Sequence, residues 1–226
     1  MVRCLLFVLL VMVSFWLSGC VYSDEPIPEI ITESGPYIIR PLPGESVEIT
    51  PPAPIPQLPT EGGIPSGWIP EREDARRWKG IVIHHSDSFY GSAAQMDKYH
   101  KSIGWDGLGY HFVIDNGVYN NGYGKPDGLV EVGYRWRNQI EGAHCRVNGR
   151  DNNYWNEHTI GICLVGDFNK SYPTEKQWQS ALKLVRFLQK RYSIPTNKIV
   201  GHRDVKPTDC PGRNFSMTRF KAGLGY

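Results

Sequence analysis

The chain opens on one apolar run, Cys4 to Trp16 broken only by Ser14, and after it apolar residues come in short clusters of two different periods. Ile81-Val82-Ile83 is a β-branched run leading into His84 and His85, the pattern of a buried strand. Ser92-Ala93-Ala94-Gln95 has the form of a capping box. Met96, Tyr99, His100 and Ile103 follow at helical spacing up to Gly104, which predicts a helix with one apolar stripe. Tyr110 to Ile114 reads as a second strand, and Asp115-Asn116-Gly117 as a hairpin turn into Val118-Tyr119. From Asn120 to Asn156 glycine, asparagine and arginine are frequent and periodicity is weak, so mostly loop is expected. A third strand covers Thr159 to Val165. Thr174-Glu175-Lys176-Gln177 caps the longest helix, whose stripe is Trp178, Ala181, Leu182, Val185, Leu188 and Tyr192. Ile194-Pro195 stops it, and Lys198-Ile199-Val200 is a last short strand. Strands interleaved with helices make an α/β domain, with loops at the strand ends available for a site.

Composition changes the reading of the front of the chain. Arg3 ahead of the apolar run, and small residues in Leu17-Ser18-Gly19-Cys20 after it, make residues 1–19 a secretory signal too short to be a good spanning helix. Leu-Ser-Gly-Cys resembles the bacterial lipobox, which implies cleavage before Cys20 and lipid attachment to its thiol. Such a lipid anchors the mature chain to a membrane without spanning it. Twelve of the 17 prolines lie between Asp24 and Pro70, so residues 20–70 read as a proline-rich tether, either a semi-rigid spacer or a plain tail. Residues 71–226 then make one domain, long enough to bury a core without disulfides. A net charge of +2 argues against a nucleic-acid partner. Of the five cysteines, Cys4 is in the signal and Cys20 is the lipid site; Cys145 and Cys163 either pair or stay buried and reduced.

Candidate chemistry concentrates in Gly201-His202-Arg203-Asp204-Val205-Lys206-Pro207-Thr208-Asp209-Cys210-Pro211-Gly212, where a histidine and a cysteine stand eight positions apart in a segment too rich in proline and glycine for a helix. Imidazole nitrogen and thiolate sulfur suit zinc rather than magnesium or calcium. The pair His84-His85 is the natural third source, and strand alternation lets only one of the two face a given metal. His100, on the helix stripe, reads as a packed histidine; His111, His158 and Cys163 likewise read as structural. A three-ligand site leaves a position for water, whereas a structural site would need a fourth donor, for which Cys145 and His144 are the candidates.

Ile83-His84-His85-Ser86, Gly109-Tyr110-His111-Phe112, Gly142-Ala143-His144, Ile160-Gly161-Ile162 and Gly201-His202-Arg203-Asp204 through Cys210-Pro211-Gly212 occur in an order that resembles the zinc-dependent N-acetylmuramoyl-L-alanine amidases of the phage-lysozyme and peptidoglycan-recognition-protein type. The resemblance spans about residues 75 to 222. It implies a central mixed sheet flanked by helices, a zinc at the floor of a groove, and hydrolysis of the amide between the lactyl group of muramic acid and the L-alanine of the peptidoglycan stem. Carried over by position, it implies His84, His202 and Cys210 as zinc ligands, Tyr110 as a catalytic tyrosine and His144 as a groove histidine contacting substrate. Thr208 stands where many phage-type members carry a lysine; it donates one hydrogen bond and brings no charge. The rival readings are a peptidoglycan-binding module without catalysis, whose members typically lose the cysteine ligand retained here, and another zinc amide hydrolase on the same scaffold. The expected location is the cell envelope. Val21, rather than an aspartate, follows Cys20, which favours the outer membrane, facing the periplasm, in a Gram-negative cell.

Overall fold

The computed structural model describes residues 60–61, 63–70, 76–120, 124–147 and 153–225. The signal, Cys20 and the tether up to residue 59 lie outside the described residues. The described part begins with a small antiparallel hairpin, β1 (Thr60–Glu61) and β2 (Ile64–Pro65), followed by a 3-10 turn over Ser66–Trp68. The core takes in residues ahead of the boundary expected at 71. Trp68 is buried, its carbonyl accepts from the Trp136 indole N–H, and its ring meets Phe187.

The main sheet has the order β5-β4-β6-β3-β7. Its strands are β3 (Gly80–His85), β4 (Phe112–Ile114), β5 (Val130–Val132), β6 (Thr159–Leu164) and β7 (Ile199–Gly201). β4, β6, β3 and β7 pair in parallel and β5 closes the edge antiparallel to β4, giving the mixed sheet expected. The central strands are apolar without alternation because both faces are covered. On one face Ile81, Ile83, Phe112, Ile114, Ile160, Ile162 and Leu164 pack with the long helix α4 and the C-terminal helix α5; on the other Val113, Cys163 and Val165 pack with α1.

The helices in chain order are α1 (Ala93–Ser102), α2 (Tyr134–Arg137), α3 (Tyr154–His158), α4 (Glu175–Tyr192) and α5 (Met217–Gly223). α4 carries the expected capping box, with the Thr174 hydroxyl accepting from the Gln177 N–H and the Gln177 amide oxygen accepting from the Thr174 N–H. α1 starts at the expected cap, Ser92.

Two expectations are corrected and one holds. Asn116 accepts from the Val118 N–H in a local turn, but among the described residues no strand follows at Val118-Tyr119, and the partner of β4 arrives at Val130. Residues 120–156 are mostly loop as expected, broken by β5, α2 and the start of α3, elements of three to five residues that leave no readable period. On α1 only His100 is buried: Tyr99 is 62% and Ile103 48% exposed, so the stripe faces solvent over part of its length.

Candidate metal centre and groove

The parallel pairing of β3 with β6 and β7 aligns the exits of all three strands, and the site lies there. His84 is the penultimate residue of β3, opposite Cys163 in register, and its side chain is buried. β7 ends at Gly201, and a 3-10 turn over His202–Asp204 presents the His202 ring. The Asp204 carboxylate accepts from the Gly201 N–H at 2.8 Å, which fixes that turn. The loop then returns to the same point. The Arg203 N–H donates to the Cys210 carbonyl at 2.8 Å, and the Arg203 guanidinium donates to Gly212 O at 2.7 Å and Phe215 O at 3.0 Å. The loop brings Cys210 within reach of His84, with Sγ 3.6 Å from Nδ1.

Donor atoms of His84, His202 and Cys210 lie within 4.8 Å of one another, and among the described residues no fourth histidine, cysteine or acidic side chain joins them. Zinc bonds of about 2.0–2.3 Å place tetrahedral ligands about 3.3–3.8 Å apart, so the trio needs little movement to close on the ion. Its protonation fits as well. Burial, then the nearby rings of His144 and His202, hold His84 well below the ordinary histidine pKa, and burial brings His202 down to about 4. Both rings are therefore neutral, as ligands must be. The His202 Nε2 is buried with no hydrogen-bond partner among the described residues. A buried imidazole nitrogen without a partner, on a residue of the trio, is the kind of donor a metal would satisfy. Burial pushes the Cys210 thiol up to about 12, opposed by the His85 N–H donating to its sulfur at 3.4 Å, so metal binding has to release that proton.

A second trio, His85, Asp87 and Asp167, comes equally close but does not suit a metal. The His85 Nδ1 accepts from the Phe168 N–H at 3.1 Å, which uses the one lone pair of a neutral imidazole. Its proton is then on Nε2, the nitrogen that would have to bind. Asp167 is held by Lys170 at 2.9 Å. Strand alternation thus separates the two adjacent histidines into a member of the trio and a packing residue.

The trio borders a cleft of about 400 Å³ that Tyr110 and Thr208 also line. The Tyr110 ring lies 5.1 Å from that of His84, and burial, with Cys163 and Cys210 alongside, raises its phenol well above the usual value. The Thr208 hydroxyl oxygen accepts from the Cys210 N–H at 3.3 Å, which leaves its proton to donate elsewhere. Through Tyr110 and His202 this cleft meets another of about 440 Å³, lined also by Trp105, Arg135, His144, Arg146, Asn156 and Lys206.

All the site residues expected within the domain converge here. His144 borders the groove but is buried, with both ring nitrogens engaged. Cys145 and Cys163 are buried free thiols, and neither belongs to the metal trio. His100 and His111 are packing residues, their Nδ1 atoms accepting from the Gly109 and Gly161 N–H groups. Lys206, Arg146 and Asn156 were not legible as groove residues. Lys206 alone carried a signal, its place in the ligand loop; its ammonium donates to the Arg146 carbonyl at 3.3 Å.

Comparison with known proteins agrees with this geometry. Residues 74–213 match the sequence profile of the family described as N-acetylmuramoyl-L-alanine amidase. Peptidoglycan-recognition protein 2 of Holotrichia diomphalia is 30% identical over 144 residues, covering 59% of this chain and 67% of that protein. Peptidoglycan-recognition protein LB of Drosophila melanogaster is 30% identical over 143 residues, 58% of this chain and 53% of that protein, so the chain spans about half the length of that relative. Among solved structures, the N-acetylmuramoyl-L-alanine amidase LysC from Clostridium intestinale superimposes with a TM-score of 0.54 at 31% identity, over 66% of this chain and 85% of that one.

Proposed function

The chain belongs to the N-acetylmuramoyl-L-alanine amidase family, and on that premise we propose that it hydrolyses the amide between the lactyl group of muramic acid and the L-alanine of the peptidoglycan stem, with zinc as cofactor. The observation that carries this reading is the trio of His84, His202 and Cys210, close enough to share one ion and including an orphaned imidazole nitrogen. His84, His202 and Cys210 would hold the zinc, which when bound would supply an activated water, with a pKa of about 7, and polarisation of the substrate carbonyl.

The chain's own residues supply the rest. Tyr110 keeps its proton far above neutral pH, so it enters the reaction as a hydrogen-bond donor. Thr208, its oxygen occupied by the Cys210 N–H, is a second donor. Both border the cleft beside the trio, where negative charge gathers on the carbonyl oxygen as the amide is attacked. Lys206, Arg146 and Arg135 line the adjoining cleft and suit the carboxylates of a peptide stem.

The rival reading, a recognition module that binds peptidoglycan without cutting it, draws on the names of the relatives. Cys210 supports the enzyme, since a binding module has no use for an open metal position. Purified peptidoglycan incubated with the zinc-loaded chain is expected to show new L-alanine amino termini. Cys210→Ser should lower their release at least about 100-fold while still binding the polymer, by the scale of loss when a metal site is broken. Binding with no new termini from the wild type would establish the recognition module instead.

A further inference from the structure

His144 sits one residue deeper than the metal trio, and its hydrogen bonds have a direction that fixes what it does. Its Nε2 lies 3.3 Å from the Thr159 carbonyl oxygen. A carbonyl only accepts, so Nε2 carries the proton, and Nδ1 of the neutral ring carries the lone pair. The ring is buried, and its two nitrogens meet only a carbonyl and a second imidazole, with no carboxylate to hold a charge, so it is the neutral form. Nδ1 faces the His84 Nε2 at 3.1 Å, so His84 must donate there, and its own lone pair is left on Nδ1. That nitrogen is the one 3.6 Å from the Cys210 sulfur. The relay therefore starts at a backbone carbonyl and ends by pointing the His84 lone pair into the trio.

His144 is itself held in place. Its ring occupies space left by two glycines: a Cβ on Gly142 would stand 2.3 Å, and one on Gly161 2.4 Å, from the imidazole Cδ2. The Asn156 Oδ1 accepts from the His144 N–H at 2.9 Å and the Cys145 N–H at 2.7 Å, and the Asn156 carbonyl accepts from the Gly142 N–H at 3.0 Å. The relay starts at Thr159, the first residue of β6, which pairs with Gly80 of β3, the strand that carries His84. Ligand and orienter are thus tied to one rigid sheet.

We propose that His144 is a positioning residue for the metal centre: it selects the tautomer and ring orientation of His84, so that Nδ1 is the ligating nitrogen. This rests on the reading of His84, His202 and Cys210 as a metal site. It also assigns His144 a role other than the substrate contact expected from the sequence.

The test is zinc affinity of the purified chain, measured by competition with a chromophoric chelator. Removing a partner of a ligating histidine typically lowers metal affinity about 10–100-fold, and that loss is expected for His144→Leu. His144→Asn places its amide oxygen near the position of Nδ1, where it can accept from His84, and should return the affinity to within about threefold of wild type. His144→Gln places its polar group near Nε2 instead and should bind zinc as weakly as the leucine variant. Because both amides are polar and close in size, the Asn–Gln contrast survives even if His144→Leu fails to fold. Equal zinc affinity in wild type and His144→Gln, with only KM for peptidoglycan raised, would overturn the proposal in favour of a substrate contact. A wild-type chain that takes up no zinc would overturn the metal-site reading itself, a result distinguishable from failure of His144's role alone.

Discussion

Tyr110 is the residue on which the proposed chemistry can be tested most sharply, because it borders the cleft beside the trio without belonging to it. Burial keeps the phenol protonated, so replacing it with Phe removes a donor and changes no charge. If that donor meets the developing oxyanion, Tyr110→Phe should lower kcat about 10²–10³-fold, as loss of one such donor does elsewhere. Zinc content should be unchanged. A fall of less than about threefold, with zinc retained, would remove Tyr110 from the catalytic step. His202 and Cys210 were legible as candidate donors at this scale because proline, glycine, imidazole and thiol sit together in one loop. The direction of His144 was not, because which nitrogen faces which neighbour depends on the carbonyl of Thr159, supplied by a different strand. The same holds for Asn156, whose side chain pins the 142–145 segment from across a gap in sequence.

Elements were legible where a period or a cap repeats over enough residues. α4, with its box at Thr174 and stripe from Ala181 to Leu188, has both. Helices of four and five residues have neither, which is why α2 and α3 fell within expected loop. α1 shows the opposite failure: its period was read correctly, but only its first turn, through Ala93 and Met96, packs on the sheet-face cluster, and Tyr99 and Ile103 reach solvent. α4 also does more than its pattern implied. The buried Gln177 amide donates to the Ile114 carbonyl at 3.0 Å and the Val165 carbonyl at 2.8 Å, joining the helix start to the ends of β4 and β6. Gln177→Met keeps the volume but leaves the Val165 carbonyl unpaired and removes the capping bond from the Thr174 N–H, while the Ile114 carbonyl keeps the Val165 N–H, at an expected cost of about 1–3 kcal/mol. For a domain of this size that is a fall in Tm of roughly 3–10 °C, measurable by thermal denaturation. A change below about 1 °C would mean that water replaces the amide at the Val165 carbonyl and the Thr174 N–H.

At the scale of the whole molecule, two sets of buried groups set how stability depends on pH, and they act in opposite directions. Asp115 is fully buried at the exit of β4, and no hydrogen-bond partner reaches its carboxyl oxygens among the described residues. Burial, followed by the neighbouring Glu131 carboxylate, pushes it up to about 9, while Glu131 itself is occupied by the Ala93 N–H at the start of α1. An unfolded aspartate titrates near 3.9, so between these values the folded chain holds a proton that the unfolded chain has lost. Stability from this group is present at low pH and drains away as pH rises toward 9. The histidines run the other way. His84, His111, His144 and His202 are all depressed by burial. Their unfolded counterparts take up protons below about 6.5, so acid destabilises the fold through them. His85 and His100 are depressed in the same direction, so metal-free protein should gain stability as pH rises to about 7, where the protons still held by unfolded histidines balance the one held by Asp115, and lose it beyond. Between about pH 7.5 and 8, with unfolded histidines mostly neutral and unfolded cysteines mostly protonated, the Asp115 proton dominates and the slope approaches about −1.4 kcal/mol per pH unit. Asp115→Asn removes that proton from both states. Urea denaturation of the chelated protein across this window should show the wild-type decline and a nearly flat variant. An equally steep decline in Asp115→Asn would mean that Asp115 is ionised in the fold and that another group carries the slope.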